Sequence, residues 1–369
     1  MKVLITPDKF KGTLTARQVS RAIAKGWKKA RRTDTLDFAP MCDGGDGFGE
    51  LLGDLLGGKP QKVKTADAAG RPITSRWWWV EESKTAIVES ALTIGIALLP
   101  TGKYHPFDLD TYGLGAVLKA ARAKGASRLL IGIGGSATND AGFGMARSLG
   151  WRFLNKTGEE IEDWHGLRHL SSVLRPKPFR LFKSVRVAMD VTNPLLGARG
   201  CSRIFGPQKG LKEEDMKPSN NALRQLAKVL ENDFGYDHAK MPGAGAAGGL
   251  GFGLASFLGG KFESGFDLFA GEANLNQRIA SADLVITGEG SLDKSSMMGK
   301  GVSGILEICS KHGKQCVGIA GRVLDRKRLE KHFLLLEGLT DSEATEKQAM
   351  TDPEPYLAML GEKMARLVD

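Results

Sequence analysis

Long hydrophobic runs are missing from this 369-residue sequence. No apolar segment approaches the roughly 20 residues that a helix needs to span a bilayer. The N-terminal stretch MKVLITPDKF also has too few apolar residues before Pro7 to form a signal peptide. We therefore expect neither a membrane protein nor a secreted one, and predict a cytoplasmic protein with no membrane partner.

Cysteine is scarce, and its spacing excludes two classes of small domain. Cys42, Cys201, Cys309 and Cys316 include no CxxC pair and are too few for a disulfide framework. The histidines of HGLRH, residues 165–169, are four apart but lack the glutamate of a zinc-protease motif. No metal site built from cysteine or histidine is expected.

Two familiar nucleotide-binding signatures are incomplete. A GxxxxGK[ST] loop is absent, because the Gly-Lys pairs at 260–261 and 299–300 are followed by Phe262 and Gly301. GIGGSA, from Gly132, fits GxGxxA after an apolar run. However, no acidic residue ends a second strand about twenty positions later, as a ribose contact requires. An ordinary P-loop or dinucleotide site is not expected.

Acidic residues are outnumbered, 42 against 52 basic ones, and the net charge is +10. Such a balance attracts anions. The basic residues are dispersed, and their densest cluster, residues 28–32, ends a predicted helix where cations complement the helix dipole. Small anionic molecules are therefore favoured as partners, and no nucleic-acid partner is predicted.

Strand and helix patterns alternate at both ends of the chain, as in an α/β sheet. Residues 62–96 instead show short alternating runs typical of antiparallel strands. We predict an α/β fold of two α/β domains. The expected division is a Rossmann-like parallel-sheet domain of residues 1–65 plus 280–369 and an inserted mixed α/β domain of residues 66–279.

Glycine, by contrast, is abundant, with 48 residues that cluster at predicted strand-to-helix junctions. GIGGSATNDAG, residues 132–142, follows an apolar run and precedes a helical pattern. The backbone amides of such a turn, with the positive end of the next helix, bind phosphate or carboxylate without a lysine. The glycine-rich segments of residues 132–142 and 243–260 are therefore predicted to bring their backbone close to a bound group or to another part of the chain.

Carboxylates stand at predicted strand ends or beside glycines. In such places they point into the crevice where α/β proteins bind ligands, and can hold Mg²⁺ or accept a proton from a hydroxyl. Ordinary turn formation is the alternative for any one of them, but their number favours a functional site. They are Asp8, Asp43, Asp46, Asp190, Glu289 and Asp293.

Together these segments resemble the type 1 glycerate kinase family along nearly the whole chain. The motifs stand in the family's order: TPDKFKGTLTARQV, MCDGGDG, IGIGGSATNDAG, DVTNPLLGARG, FGPQKG, PGAGAAGGLG and ADLVITGEGSLD. The resemblance implies ATP- and magnesium-dependent phosphorylation of D-glycerate, with 2-phosphoglycerate as the usual product. It also implies two α/β domains with the active site in the cleft between them, and glycerate and ATP as partners of a monomer or homodimer.

The same resemblance supplies the expected site residues. Asp190 and Asp293 are candidates for base or metal ligand, with Mg²⁺ assigned to Asp190, and Lys209 is the expected charge neutraliser of the transferred phosphoryl group. The expected substrate and nucleotide contacts are Asp8, Lys11, Asp43, Gly44, Gly45, Glu89, Gly134, Gly135, Ser136, Asn139, Asp140, Asn193, Gly288, Glu289, Gly290 and Lys300.

The sequence departs from the family pattern at several motif positions. The family usually has serine at Lys9, glutamate at Asp46, threonine at Phe48, arginine at Ser291 and glutamine at Ser295. Loss of a cation can abolish recognition of a carboxylate or phosphate. A divergent paralogue acting on another small hydroxy acid, and a non-catalytic anion-binding protein, therefore remain alternatives. We hypothesise that Lys9 compensates for the arginine absent at position 291.

Overall fold

The structure, a computed structural model, describes residues 1–177, 180–299 and 301–368. The chain forms two compact units, Met1–Asp43 with Phe266–Asp369, and Gly44–Gly265. The predicted mixed α/β class is confirmed, with one parallel and one mixed major sheet. Among the described residues, no helix has the length and apolar character needed to cross a membrane.

The strands are short and occur in both units. In chain order they are β1 Lys2–Ile5, β2 Thr35–Phe38, β3 Lys59–Ala66, β4 Pro72–Val80, β5 Thr85–Glu89, β6 Arg128–Gly132, β7 Arg152–Asn155, β8 Leu170–Leu174, β9 Ser184–Ala188, β10 Lys261–Glu263, β11 Leu284–Thr287, β12 Ser291–Leu292, β13 Gln315–Ala320, β14 Arg322–Val323 and β15 Leu335–Gly338.

The helices range from a single turn to six turns. They are α1 Ala16–Ala30, α2 Phe48–Leu55, α3 Ala91–Ile94, α4 Tyr112–Ala123, α5 Phe143–Ser148, α6 Cys201–Phe205, α7 Glu213–Phe234, α8 Ala246–Leu258, α9 Gly265–Glu272, α10 Leu275–Ser281, α11 Gly301–Lys311, α12 Arg326–Leu329, α13 Leu339–Ser342, α14 Glu346–Thr351 and α15 Pro353–Leu367.

The sheet of the first unit is parallel throughout, in the order β15-β13-β11-β1-β2. Helix α1 lies beside it because Val19, Ile23 and Trp27, each four residues apart, form one buried stripe. Thr15 and Gln18 cap the start of the helix reciprocally. Helix α15 crosses α1 closely at Gly26, where an added Cβ would lie 1.8 Å from the Ala358 carbonyl oxygen.

The major sheet of the second unit has the order β10-β9-β6-β5-β4-β3. Strands β3, β4 and β5 pair antiparallel, as the alternating pattern predicted, while β5, β6, β9 and β10 run parallel. Trp77, Trp78 and Trp79 alternate along β4 and are all buried. Trp78 packs against Gly49 and Gly53 of α2, where an added Cβ would overlap its ring.

The units divide after Asp43 and after Gly265, whereas the sequence placed the divisions after residues 65 and 279. The difference has a packing reason at each point. Helix α2 and strand β3 lie against β4, so residues 48–66 belong with the second sheet. The Phe266 ring lies where a Cβ of Gly304 in α11 would stand, which joins the start of α9 to the first unit.

Candidate active site

The first unit gathers charged side chains where its parallel strands end. The chain beyond β1 runs beside the chain beyond β11, since the Asp8 N–H donates to the Gly288 carbonyl at 2.8 Å. The chain beyond β2 returns to the same segment and brings Asp43 with it. There the Lys9 ammonium nitrogen lies 3.2 Å from both carboxylate oxygens of Asp43. The predicted residues Asp8 and Asp43 therefore flank one lysine.

Asp8 has an unusual proton affinity for a carboxylic acid. Burial raises the pKa of Asp8 to about 6, and the negative charges of Asp43 and Glu289 act in the same direction. The Lys9 N–H, 2.6 Å from Asp8 Oδ1, and the Lys9 charge oppose the rise only in part. A carboxyl group that titrates near neutral pH is suited to accept a proton in catalysis.

The segment TGEGSLD, residues 287–293, packs closely on its neighbours. A Cβ on Gly288 would lie 1.6 Å from the Ile319 carbonyl oxygen, so this position accepts only glycine. A Cβ on Gly290 would lie 3.2 Å from Phe10 Cα, which places the turn against the TPDKFKG segment. Between them, burial raises the pKa of Glu289, while a hydrogen bond from Ser296 opposes the rise.

Asp293 caps the short 3₁₀ helix Lys294–Met297. Its Oδ1 accepts hydrogen bonds from the Ser295 backbone N–H at 2.6 Å and the Ser295 hydroxyl at 2.5 Å. These bonds lower the pKa of Asp293, which makes its carboxylate a weaker base. Of the other residues expected in the first unit, Lys11 is exposed in the turn after β1 and Lys300 lies outside the described residues.

A cationic side chain lies beside Ser291, but it belongs to Arg322, which the sequence motifs did not indicate. Arg322 Nε donates to Ser291 Oγ at 3.2 Å, where the parallel pair β12 and β14 aligns the two residues. Lys9 contacts Asp43, and its compensation for the arginine absent at position 291 stays a hypothesis. Sequence reasoning missed Arg322 because 31 residues separate it from Ser291 and no motif contains it.

The second unit brings its predicted glycines together at the carboxyl edge of β6 and β9. The Gly134 N–H donates to the Gly44 carbonyl at 3.3 Å, and the Ile133 N–H donates to the Ala188 carbonyl at 3.4 Å. A Cβ on Gly134 would lie 2.8 Å from Gly45 Cα. Backbone therefore lies directly on backbone, which explains the glycines of GIGGSATNDAG and CDGGDG at these positions.

Asp140 is completely buried and holds the end of the glycine loop to two helices. Its Oδ2 accepts from the Thr111 N–H at 2.9 Å, the Thr111 hydroxyl at 2.7 Å and the Gly144 N–H at 2.9 Å. Its Oδ1 accepts from the Gly142 N–H at 3.2 Å. Burial raises the pKa of Asp140, and these hydrogen bonds oppose the rise. The carboxylate satisfies backbone donors at the starts of α4 and α5.

Asp110 and Thr111 are site neighbours that the sequence analysis did not select. Burial raises the pKa of Asp110 to about 6, and the adjacent charge of Asp140 contributes. The signal for them was present, because Asp and Thr directly before the helical pattern at residue 112 are typical of helix starts. Asp140, the hydrogen-bond partner of Thr111, lies 29 residues further along the chain and was not predictable from that signal.

Lys209 supplies the lysine that the glycine loop itself lacks. Its buried ammonium donates to the Thr138 carbonyl, with Nζ 2.6 Å from the oxygen. Burial lowers the pKa of Lys209 to about 8, although electrostatic interactions with the Cys201 thiol group and the Asp140 carboxyl group favour its charged form. A positive charge therefore stands behind the loop up to mildly alkaline pH.

The two glycine-rich segments of the second unit pack against one another. A Cβ on Gly248 would lie 1.9 Å from the Thr138 carbonyl oxygen, and the Ala141 N–H donates to the Gly248 carbonyl at 3.0 Å. Next to this contact, the Asn139 side-chain N–H donates to Ser202 Oγ at 2.9 Å. Asn139 Oδ1 is buried and has no hydrogen-bond partner among the described residues.

Glu89 resembles Asp140, since its carboxylate accepts hydrogen bonds from backbone N–H groups at the start of a helix. The Gly47 N–H donates to Oε1 at 3.2 Å, and the Gly49 N–H donates to Oε2 at 3.0 Å. These donors open α2, where a negative charge complements the helix dipole. The structure thus places the predicted residue at the carboxyl end of β5, in contact with the CDGGDG segment.

Asp190 is exposed just beyond β9, and its Oδ1 accepts from the Gly265 N–H at 3.0 Å. Asn193 donates to the Arg199 carbonyl at 2.8 Å. In the part of the chain that the structure describes, no three His, Cys, Asp or Glu residues are arranged to hold a metal ion. Mg²⁺ in kinase sites needs only one or two carboxylates plus phosphate oxygens, and Asp190 meets that smaller requirement.

The comparison with protein families decides what kind of protein carries this arrangement. The model of the glycerate kinase family matches residues 3–369. The chain belongs to the glycerate kinase family. The resemblance found in the sequence motifs is thereby confirmed, and with it the expectation that the chain is a kinase.

Individual members of the glycerate kinase family agree over most of the chain. Glycerate 2-kinase from Escherichia coli (strain K12) is 38% identical over 331 residues, which cover 88% of this chain and 86% of that protein. A glycerate kinase from Halalkalibacterium halodurans is 37% identical over 86% of this chain and 85% of its own. A crystal structure from Salmonella typhimurium LT2, assigned as glycerate kinase 2, matches with a TM-score of 0.89 at 30% identity and covers 100% of this chain and 98% of that one.

Proposed function

We propose that this protein transfers the γ-phosphoryl group of ATP to the 2-hydroxyl of D-glycerate, giving 2-phosphoglycerate and ADP. The observation that carries the proposal is the glycine loop of residues 132–142, held by Lys209 and Asp140, in a chain 38% identical to a glycerate 2-kinase. Backbone amides held in one conformation are suited to bind the carboxylate or phosphate groups of these substrates.

Two groups of the second unit supply positive potential to the bound anion. Gly135 and Ser136 lie in the glycine loop, and we assign their N–H groups to anion binding, since the Gly134 N–H already donates to the Gly44 carbonyl. Lys209 stands behind this loop through its bond to the Thr138 carbonyl. We therefore assign Lys209 to stabilising the negative charge from a fixed position, because its geometry fits that role better than a mobile contact with the phosphoryl group.

The proton of the attacking hydroxyl is assigned to Asp8. In the proposed step the 2-oxygen of glycerate forms a bond to the γ-phosphorus, the bond from that phosphorus to the ADP oxygen breaks, and the hydroxyl proton passes to the Asp8 carboxylate. A pKa of about 6 for Asp8 suits this transfer near neutral pH. The capped Asp293 is less suited, because its hydrogen bonds from Ser295 lower its pKa.

Mg²⁺ is the cation expected with ATP, and we assign Asp190 to hold it. When bound, Mg²⁺ neutralises phosphate charge. The exposed carboxylate of Asp190 fits the coordination that Mg²⁺ takes beside a nucleotide, with the remaining ligands from phosphate and water. Asp190→Asn is expected to raise the magnesium concentration needed for half-maximal velocity, and a titration of velocity against magnesium measures it.

The test of the reaction is ADP release by the purified protein with ATP and magnesium. D-glycerate is expected to support release, and removal of magnesium with EDTA is expected to stop it. L-glycerate and D-lactate are the matched acceptors, one with the opposite configuration and one without the 3-hydroxyl. Equal release without any acceptor would indicate hydrolysis of ATP and contradict the proposal.

A second candidate function, phosphorylation of another small hydroxy acid, draws support from Ser291 and Arg322. The guanidinium beside Ser291 belongs to Arg322, and so to a different part of the chain from the family's usual arginine. Because a guanidinium is planar, a change in its orientation changes how it binds a carboxylate. Ser291→Arg combined with Arg322→Ser restores the usual arrangement. If this double variant gains activity on D-glycerate and the natural chain prefers another acid, the second function is the correct one.

A further inference from the structure

The second unit contains a cavity at the opposite edge of its major sheet from the glycine loop. The volume is about 370 Å³, within the range that small-molecule sites occupy. Lys183 and Val185, which line it, stand at the beginning of β9, whereas Asp190 follows the end of that strand. Five residues of strand separate the two edges by about 15 Å. The cavity is therefore not part of the candidate kinase site.

The walls of the cavity combine apolar and aromatic surfaces. Phe182 and Phe257 are buried core side chains that close its interior. Tyr236 and His238 stack on one another, with ring centroids 5.4 Å apart and an angle of 12° between the planes. His238 Nδ1 lies 3.1 Å from the buried hydroxyl of Ser256, which fixes the imidazole. Tyr236 and His238 therefore form an aromatic part of the cavity wall.

The charge at the cavity is positive. Arg180 and Lys183 line its exposed side, and none of the described lining residues is acidic. Burial lowers the pKa of His238, although the charge of Asp237 opposes the change, so the imidazole is mainly neutral at pH 7. The positive charge therefore comes from Arg180 and Lys183, and the neutral rings provide apolar and hydrogen-bonding surface.

We propose that this cavity is a second ligand site, for an organic anion that carries a planar ring and a phosphate or carboxylate group. Arg180 and Lys183 bind the anionic group, because a guanidinium and an ammonium at the mouth pair with phosphate or carboxylate oxygens. Tyr236 and His238 contact the ring, because flat apolar rings stack offset or edge-on with aromatic side chains. The site is independent of the kinase reaction.

The test is calorimetric titration of the intact protein with three probes. 1-Naphthyl phosphate carries both recognised groups, whereas inorganic phosphate carries the charge alone and 1-naphthol the ring alone. 1-Naphthyl phosphate is expected to bind about ten-fold or more tightly than either inorganic phosphate or 1-naphthol. Binding of inorganic phosphate or of 1-naphthol with the same affinity as 1-naphthyl phosphate would overturn the proposal.

Variants locate the binding to the cavity. Arg180→Gln and Lys183→Gln are each expected to weaken binding of 1-naphthyl phosphate about ten-fold, since each removes a charge-assisted contact. Tyr236→Leu is expected to weaken the binding of 1-naphthyl phosphate and to leave the affinity for inorganic phosphate unchanged. The matched control is Lys228→Gln, an exposed lysine of α7 outside the cavity. Unchanged kinase velocity shows that each variant is folded. If the folded variants bind 1-naphthyl phosphate as tightly as the Lys228→Gln control, the assignment of the ligand to this cavity is refuted.

Discussion

The carboxylates of the two units differ in how their charges are satisfied. Asp140 in the second unit is fully buried and accepts four hydrogen bonds, which tie the glycine loop to two helix starts. Asp8 in the first unit has a pKa of about 6, raised mainly by burial and further by the negative charges of Asp43 and Glu289. Burial that is matched by hydrogen bonds builds a rigid binding surface, whereas burial that is not fully matched tunes a group for proton transfer. We therefore expect substitution of Asp140 to change mainly stability and substitution of Asp8 to change mainly turnover.

Replacement of the satisfied carboxylate is expected to have the largest effect on stability. Asp140→Ala leaves buried donors of Thr111, Gly142 and Gly144 without an acceptor, and each such donor costs about 1–3 kcal/mol. We expect a loss of about 3 kcal/mol or more in the free energy of unfolding, measured by urea denaturation. The control is Asp163→Ala, which removes one cap bond to Gly166 and is expected to cost about 1 kcal/mol.

Asp8→Asn is expected to reduce turnover about 10²- to 10⁴-fold while preserving the fold. In the wild type, the pKa of Asp8 rises from 3.8 to about 6 on folding, so the folded state holds this proton more tightly. Wild-type stability should therefore decrease as the pH rises from about 4 to 6, and the asparagine variant should lack that component.

The measurements for Asp8 are kcat against pH and urea denaturation at pH 4.5 and 7. Asp293→Asn provides the comparison within the same unit, because it removes the charge of a carboxylate with a lowered pKa, whereas asparagine can still cap the helix. We expect it to leave stability nearly unchanged and to change turnover far less than Asp8→Asn. Turnover within two-fold of the wild type for Asp8→Asn would reject Asp8 as the proton acceptor.

Lys209→Met is expected to lower kcat/KM about 10²-fold by removing the charge behind the glycine loop. Burial lowers the pKa of Lys209 from 10.5 to about 8, so the wild type should lose activity as the pH rises above 8. The control is Lys212→Met, which replaces an exposed lysine three positions further on. This variant should keep both the wild-type activity and its loss above pH 8, the alkaline limb of the pH profile. Persistence of that limb in Lys209→Met would show that another group titrates.

The smallest expected effect concerns two glycines with nearly the same backbone conformation. Gly248 has φ of +69° and faces the Thr138 carbonyl, whereas Gly259 has φ of +68° at a helix end with open space around it. Gly248→Ala should therefore be less stable than Gly259→Ala by about 1–3 kcal/mol, since only the first adds overlap to strain. Thermal unfolding measures the difference, and equal losses would mean that the loop does not rest on Gly248.

The sequence was most informative where a structure depends on local pattern. The sequence pattern predicts a helix at residues 112–123, which are the bounds of α4, and the glycine loop follows β6 as expected. The sequence pattern predicts a helix at residues 219–231, whereas α7 begins at Glu213 and contains Pro218. The acidic residues 213–215 complement the helix dipole in the first turn, and the proline is accommodated inside the helix.

Partners distant in the chain were beyond sequence reasoning. Motif positions identified Asp140, Glu89 and Lys209, but not that the first two satisfy helix starts and the third a loop carbonyl. Thr138 and Lys209 are 71 residues apart, and their contact exists only because α6 and the adjoining turn pack beside α8. The raised pKa of Asp8 likewise depends on three segments meeting at one sheet edge. Such properties follow from tertiary structure and not from composition or spacing.

The position of phosphorylation is the most direct test of the proposed reaction. Purified protein would be incubated with ATP, magnesium and D-glycerate, together with enolase and without a phosphoglycerate mutase, and the phosphoenolpyruvate formed would be followed. We predict phosphoenolpyruvate in step with ADP, because enolase acts on 2-phosphoglycerate. ADP without phosphoenolpyruvate would contradict attack by the 2-hydroxyl, and absence of ADP would contradict glycerate as the acceptor.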